Sequence, residues 1–513
     1  MHDRKLRLAR AAFLLLWAPA VLILIGGEIH AQPEDIHLVI LHVNDTHGHL
    51  YPHDYLKERD VGGAARLATL IKGIRSENPG RTLVLHAGDI FSRGGPLTVY
   101  YAGRVDLLTM QAMEFDAMVP GNGEFYTGVD NLIRNTAEVD FPVVLANVYY
   151  KDSGERLFPP YVIQEIAGLR IAILGLGFFN DNHPAAWHLM QKHPVPVAQS
   201  LLSEFRGRVD LVVALTHMGL SADTQMAGLV SGIDVIVGGH SHDFIERPRR
   251  LPGPGDTEVI YVQAGIFGLR LGRLDLFVER DAYGKCTVNR VEGKLIPITR
   301  QVEEDAEVAQ ILEHFSSPLK EVLCVSKITL GIPPTGPSPM GDFLVEAIHQ
   351  QIPAEIALLF RNAVHSGILS GPVTVADVCR VHQWRSRILR MSLTGVQLQE
   401  VLAAQEVFVS GCAFRKSEDR ISDLKVEGIP VERQKSYRVA ADEALVMNTD
   451  SLQGITFEET GERVDSLLIK HLRKLRVIDG NSWASPKLSY PPAVSHGERP
   501  IRTRAIYQID GRS

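Results

Sequence analysis

An α/β fold in two domains is expected from three observations. The chain has 513 residues, more than one hydrophobic core sustains. From residue 36 to residue 298, short β-rich runs alternate with helix-period stretches and glycine turns. The runs at 36–44, 82–86, 143–147, 170–176, 210–215 and 234–237 are apolar almost throughout instead of alternating, as strands buried on both faces are.

The elements follow in chain order. Lys5, Arg7 and Arg10 precede an apolar run over 11–25, and Gly26, Gly27 and Ala31 come after it. That charged, apolar, small-residue order predicts a secretory signal over 1–31, cleaved after Ala31. The run of about 15 residues is shorter than the roughly 20 a spanning helix needs; retention as an uncleaved anchor is the alternative. No other run approaches spanning length, so the expectation is a periplasmic or secreted protein without a stable membrane span after signal removal. A first domain covers 36–300, with helices at 64–74 and 97–113. A charged, helix-prone stretch at 303–323 predicts a helix within a linker over 301–325. A second α/β domain covers 326–480, where a Pro/Gly-rich loop at 332–340 feeds a helix at 341–348. The Pro-, Ser- and Arg-rich tail over 481–513 is expected to be extended.

Composition removes several function classes. With 53 Lys and Arg against 60 Asp and Glu, the net charge of −7 disfavours nucleic acid as a partner. Cys286, Cys324, Cys379 and Cys412 form no CxxC pair, which excludes zinc-finger and thioredoxin readings. Disulfides and isolated core thiols both remain open in an exported chain.

The chemistry lies where hydrophobic runs end. Asp45-Thr46-His47, Gly88-Asp89, Gly121-Asn122, Thr216-His217 and Gly239-His240-Ser241-His242 each follow an expected strand. Open α/β sheets place ligands there, because the loops at strand ends converge in one crevice. A pair of divalent cations needs a bridging carboxylate and mixed nitrogen and oxygen donors. Asp45, His47, Asp89, Asn122, His217, His240 and His242 supply that mixture, which suits Mn, Fe, Co or Zn better than Mg or Ca. Each fragment alone reads as a capped turn or a glycine loop. Five in series predict a two-metal hydrolase, in which a hydroxide between the cations attacks and the cations neutralise phosphoryl charge.

These motifs resemble the 5′-nucleotidase family of calcineurin-like metallophosphoesterases, which includes UDP-sugar hydrolases and 2′,3′-cyclic-nucleotide phosphodiesterases. The family pattern is DxH, GD, GNHEFD, H and GHSH, followed by a C-terminal nucleotide-binding domain. The resemblance covers nearly all of the chain past the leader. It implies a four-layer α-β-β-α sandwich joined to a C-terminal α/β domain, and a small-molecule phosphoester substrate. It also implies that Asp45, His47, Asp89 and His242 hold one metal. Asp89, Asn122, His217 and His240 would hold the other, with Asp89 bridging.

The third motif departs from the family. It reads Gly121-Asn122-Gly123-Glu124-Phe125-Tyr126, so Gly123 and Tyr126 replace the histidine that stabilises the transferring phosphoryl group and the aspartate that orients it. Tyr126 offers a hydrogen-bond donor, but a phenol with an ordinary pKa near 10 is a poor base. His49 is the nearest candidate replacement, with a plain loop residue as the alternative. The dimanganese thiosulfohydrolases of sulfur oxidation look like 5′-nucleotidases with this same motif altered. A thiosulfohydrolase-like enzyme, or a catalytically weak metal- or nucleotide-binding homologue, are therefore the competing expectations.

The C-terminal domain resembles the family in outline. Met340-Gly341-Asp342-Phe343-Leu344 matches a helix start. Aligning Gly371-Pro372-Val373-Thr374 with the family's G-x-I-T puts His365 where a substrate-binding arginine stands, and Trp384 where an aromatic stacks on the base. The family's second stacking loop, GGDGF, has no counterpart after the expected strand at 437–441.

Overall fold

The computed structural model describes residues 34–91, 94–179, 183–205, 207–333, 338–417 and 420–480. The expected secretory signal and the extended tail lie outside the described residues. Among the described residues, no helix is long and apolar enough to cross a membrane.

Two sheets face each other in the first domain. One has five strands in the order Cys286–Pro297, Arg270–Arg280, Glu34–Val43, Thr82–His86 and Ala117–Met118. Its last three run parallel. The other has six, with Glu258–Val262, Val235–Val237, Leu211–His217 and Leu169–Gly177 as a parallel centre between the edge strands Arg249–Pro252 and Tyr161–Ile166. Side-chain alternation sorts the second sheet's two faces. Ile171, Ile173, Val213 and Leu215 join the core shared with Leu38, Ile40 and Leu83 of the first sheet. Ala172, Leu174 and Ala214 pack the other way, with Val197, Leu201 and Phe205 of helix Pro194–Phe205 and Met226 of helix Leu220–Leu229. Helix Ala64–Glu77 packs on the first sheet. The result is the α-β-β-α sandwich.

Two expected elements differ. The stretch 143–147 is buried, but it forms no ladder strand. Val144 N–H donates to Met118 O on the first sheet and Ala146 N–H to Gly175 O on the second, so it is a strip bridging the two sheets. Gly175 permits that approach, since a Cβ there would lie 2.1 Å from Val144 O. The single helix expected over 97–113 is two, Pro96–Tyr101 and Arg104–Ala112. Ala102 and Gly103 between them have φ of 52° and 82°, and a Cβ on Gly103 would meet the Phe91 ring at 2.2 Å.

Asp305 caps helix Ala306–Ser316, its carboxylate accepting from Val308 N–H, and Lys72 anchors the same carboxylate at 3.0 Å. Beyond it, a five-stranded mixed sheet orders Val407–Ser410, Ile356–Phe360, Ser436–Asp442, Arg387–Thr394 and Phe457–Arg463. Ser338 caps helix Pro339–His349, which packs beside it. All four cysteines are free thiols.

Candidate metal centre

Five strand ends from two sheets meet at one edge of the sandwich. Asp45 and His47 follow Glu34–Val43, and Asp89 follows Thr82–His86. Asn122 opens the short helix Asn122–Tyr126, and His217 ends Leu211–His217. His240 and His242 follow Val235–Val237. Because the contributing strands are parallel neighbours within each sheet, their carboxyl ends lie side by side.

The ligating atoms crowd together. Asp45 Oδ1 lies 3.2 Å from His242 Nε2, 3.8 Å from His47 Nε2 and 4.0 Å from His217 Nε2. The two oxygens of Asp89 diverge: Oδ2 is 3.9 Å from His47 Nε2, while Oδ1 is 3.4 Å from His217 Nε2. Two triads result, Asp45/His47/His242 and Asp45/Asp89/His217. Asp45 is thus common to both in this geometry, while Asp89 presents one oxygen to each side, as a bridge must. The His240 ring stands edge-on to His217, centroids 5.2 Å apart.

These residues fit divalent cations. His47 Nε2 and His242 Nε2 are 3.2 Å apart. Two nitrogens at about 2.0–2.1 Å from one tetrahedral ion would be about 3.3–3.4 Å apart. Asp45 Oδ1, Asn122 Oδ1 and His217 Nε2 are buried without a hydrogen-bond partner. Native interiors rarely leave such atoms unsatisfied unless a ligand takes them. His217 Nδ1 sits 2.6 Å from Ala87 O, so in the neutral ring that nitrogen donates and Nε2 keeps a lone pair for a metal. Burial alone would lower the His217 pKa, but Asp89 and Asp45 outweigh it and push it up to about 10. Burial would raise the Asp89 carboxyl, yet His217 holds it well below the usual range. The pocket's two carboxylates call for positive charge.

The backbone is strained to bring these side chains together. Asp45, His47, Asp89, His240 and His242 all have φ between 45° and 78°. Non-glycine residues adopt that region infrequently, and such strain clusters at functional sites. Glycines supply the clearance. A Cβ on Gly121 would sit 2.4 Å from Asp89 Oδ1, and one on Gly239 would sit 2.4 Å from Ala87 O.

The supporting residues Asn44 and Glu124 carry no role in the sequence reading. Asn44 Nδ2 donates to Asp45 Oδ2 at 2.7 Å and to Gly265 O, while its Oδ1 accepts from Ala264 N–H. Glu124 is fully buried, and its carboxylate accepts from Gly121, Asp89, Ile90 and Phe91 N–H at 2.6–2.9 Å. Burial and the neighbouring Asp89 push its pKa up to about 7, against the pull of those donors. A carboxylate placed just past Asn122 inside an apolar turn was the available signal for Glu124. Nothing local marks Asn44, whose backbone partners Ala264 and Gly265 are more than 200 residues away.

The remaining candidates are placed as follows. Gly123 contributes its backbone, donating N–H to Asp89 Oδ1 at 2.6 Å. The Tyr126 ring stacks on buried His183, centroids 4.4 Å apart. His49 stacks on Phe267 at 4.0 Å and points Nδ1 at the carbonyls of Thr46 and His47. In the C-terminal domain, His365 and Trp384 meet edge-to-face at 4.8 Å. The segment after strand Ser436–Asp442 forms helix Glu443–Met447, and Glu443 binds Arg387 Nε at 2.8 Å.

Known proteins resemble this chain in sequence and fold. The family model described as calcineurin-like phosphoesterase matches residues 38–244, and that of the 5′-nucleotidase C-terminal domain matches residues 325–456. The trifunctional nucleotide phosphoesterase protein YfkN of Bacillus subtilis is 27% identical over 88% of this chain, which spans about a third of that relative's length (34%). Protein UshA of Escherichia coli is 26% identical over 80% of this chain and 85% of its own length. The crystal structure of a 5′-nucleotidase precursor from Thermus thermophilus superposes with a TM-score of 0.61 at 24% identity. It covers 86% of this chain and 97% of its own, a likeness of fold.

Proposed function

For a chain that belongs to the 5′-nucleotidase family of calcineurin-like phosphoesterases, we propose an exported two-metal hydrolase of small phosphoesters. Nucleotides or related compounds are its substrate class. The observation that carries this reading is the convergence of buried, unpartnered Asp45, Asn122 and His217 atoms with His47, Asp89 and His242. Asp45, His47, Asp89 and His242 would hold one ion, and Asp89, Asn122, His217 and His240 the other. When bound, such a pair activates water and offsets charge on a phosphoryl oxygen.

The chain's own residues set what happens around that pair. Asn44 and the N–H of His240 fix Asp45 Oδ2 at 2.7 and 2.9 Å. Glu124 ties the Asp89 loop to the Asn122 loop. Gly123 brings no acid or base to the leaving group, so the protein supplies less proton chemistry here than the family pattern does. Losing one such group commonly costs about 10²–10⁴-fold, which slows a two-metal enzyme without abolishing it.

The test uses the full-length mature chain loaded with Mn, Co or Zn. Phosphate release is followed from AMP, UDP-glucose, cyclic nucleotides and bis-p-nitrophenyl phosphate. Metal-dependent turnover that disappears in Asp89→Ala is the expected outcome. Silence on every phosphoester despite two bound metals would overturn it. The replaced Gly123/Tyr126 pair favours a thiosulfonate as the second substrate to assay, since its leaving group makes a different demand on proton donation.

A further inference from the structure

Each ligand pair separated by a single residue encloses a hydroxyl: Thr46 between Asp45 and His47, Ser241 between His240 and His242. Both hydroxyls are gripped from neighbouring elements. Thr46 Oγ1 lies 3.2 Å from His86 Nε2, and His86 Nδ1 accepts from Gly88 N–H at 3.1 Å. With Nδ1 occupied as an acceptor, the proton of the neutral ring belongs on Nε2, which donates to Thr46. One buried imidazole thereby joins the Asp45/His47 loop to the loop that presents Asp89.

The second sheet repeats the device with different residues. The Ser241 hydroxyl donates to Gln263 Oε1 at 3.1 Å and accepts from Leu220 N–H at 3.1 Å. Gln263 Oε1 is itself held by the Tyr261 hydroxyl at 2.9 Å, and both of those residues are fully buried. The four ligands flanking the two hydroxyls all have positive φ, a conformation the loops keep only while surrounding contacts hold them.

We infer that Thr46 with His86, and Ser241 with Gln263, are positioning pairs that hold the two ligand loops in register for metal binding. This rests on the two-metal reading above. Neither pair touches the reacting atoms; each acts through the ligands on either side of its hydroxyl.

The experiment titrates Mn²⁺ into the metal-stripped full-length chain by calorimetry, for the parent, Thr46→Val, Thr46→Ser, Ser241→Ala and Asp89→Ala. Thermal unfolding of each metal-free protein is measured alongside. Residues that hold metal ligands in place typically contribute about 10–100-fold to metal affinity. Thr46→Val and Ser241→Ala should each bind Mn²⁺ about 10–100-fold more weakly, with the metal-free chain still unfolding cooperatively and Thr46→Ser close to the parent. Parent-like affinity in both Thr46→Val and Ser241→Ala, while Asp89→Ala loses binding, overturns the positioning role and leaves the metal reading standing. A parent that takes up no Mn²⁺ fails both. If Thr46→Val does not fold, Ser241→Ala decides, because Ser241 lies at the surface and its replacement opens no core volume.

Discussion

The strand-end loops of the first domain and the charged positions of the second are built differently. In the first, buried polar atoms of Asp45, Asn122 and His217 lack hydrogen-bond partners, and five candidate ligand residues are held in strained backbone. In the second, charges are matched within the protein: Arg387 with Glu443 and Glu459, Arg385 with Asp465, Arg390 with Glu458. The Arg387 and Asp465 side chains are largely buried. The second domain also holds unpartnered buried atoms such as Arg387 Nη2 and Asp465 Oδ1, but these two belong to side chains already in ion pairs. Asp45 Oδ1 and His217 Nε2 of the first instead lie in one cluster able to hold a cation. The contrast is between a cluster of atoms able to hold a cation and charges paired with one another.

Removing the shared carboxylate breaks the contrast most severely. Asp89→Ala should lower phosphoesterase activity by about 10²–10³-fold or more, and calorimetry should find fewer than two ions bound. Restoring the family's pair with Gly123→His and Tyr126→Asp sharpens it next. A gain of about 10²–10⁴-fold on nucleotides is expected if only proton chemistry was lost. An unchanged rate would mean the second domain no longer presents them productively. Trp384→Ala then probes that domain: if the ring stacks on a base, KM should rise by about 5–150-fold, the equivalent of about 1–3 kcal/mol, with kcat little changed. The smallest effect should come from chelation. A ligand at a hundred times its Kd stabilises by about 2.7 kcal/mol, so EDTA should lower the unfolding temperature of the first domain by a few degrees and leave the second unmoved.

The candidate ligand set was legible because its constraints are local. A residue that must end a buried strand, often beside a glycine, leaves a mark within three or four positions, as Gly88-Asp89 and Gly239-His240 do. The sandwich was legible for a related reason, since strands buried on both faces are apolar throughout. Asn44, His86 and Gln263 left no mark. Asn44 is anchored to Ala264 and Gly265, more than 200 residues away, and the others act through hydrogen bonds that only the folded sheets create. The stretch 143–147 misled because its apolar run reflects burial between two sheets, not membership of either. At 97–113 the helical period continues across a break that Ala102, Gly103 and the Phe91 ring impose. The direction of Tyr126, stacked on His183, depends on a contact across 57 residues and was equally hidden.

The central claim, that the strand-end loops form a dinuclear site whose metals do most of the chemistry, is tested most directly by metal stoichiometry. The purified, metal-stripped full-length chain is titrated with Mn²⁺ and the bound ions counted by calorimetry and elemental analysis. Two ions per chain, falling to one or none in Asp89→Ala, is the predicted result. A parent that binds no ion, or an Asp89→Ala variant that still binds two, would contradict it.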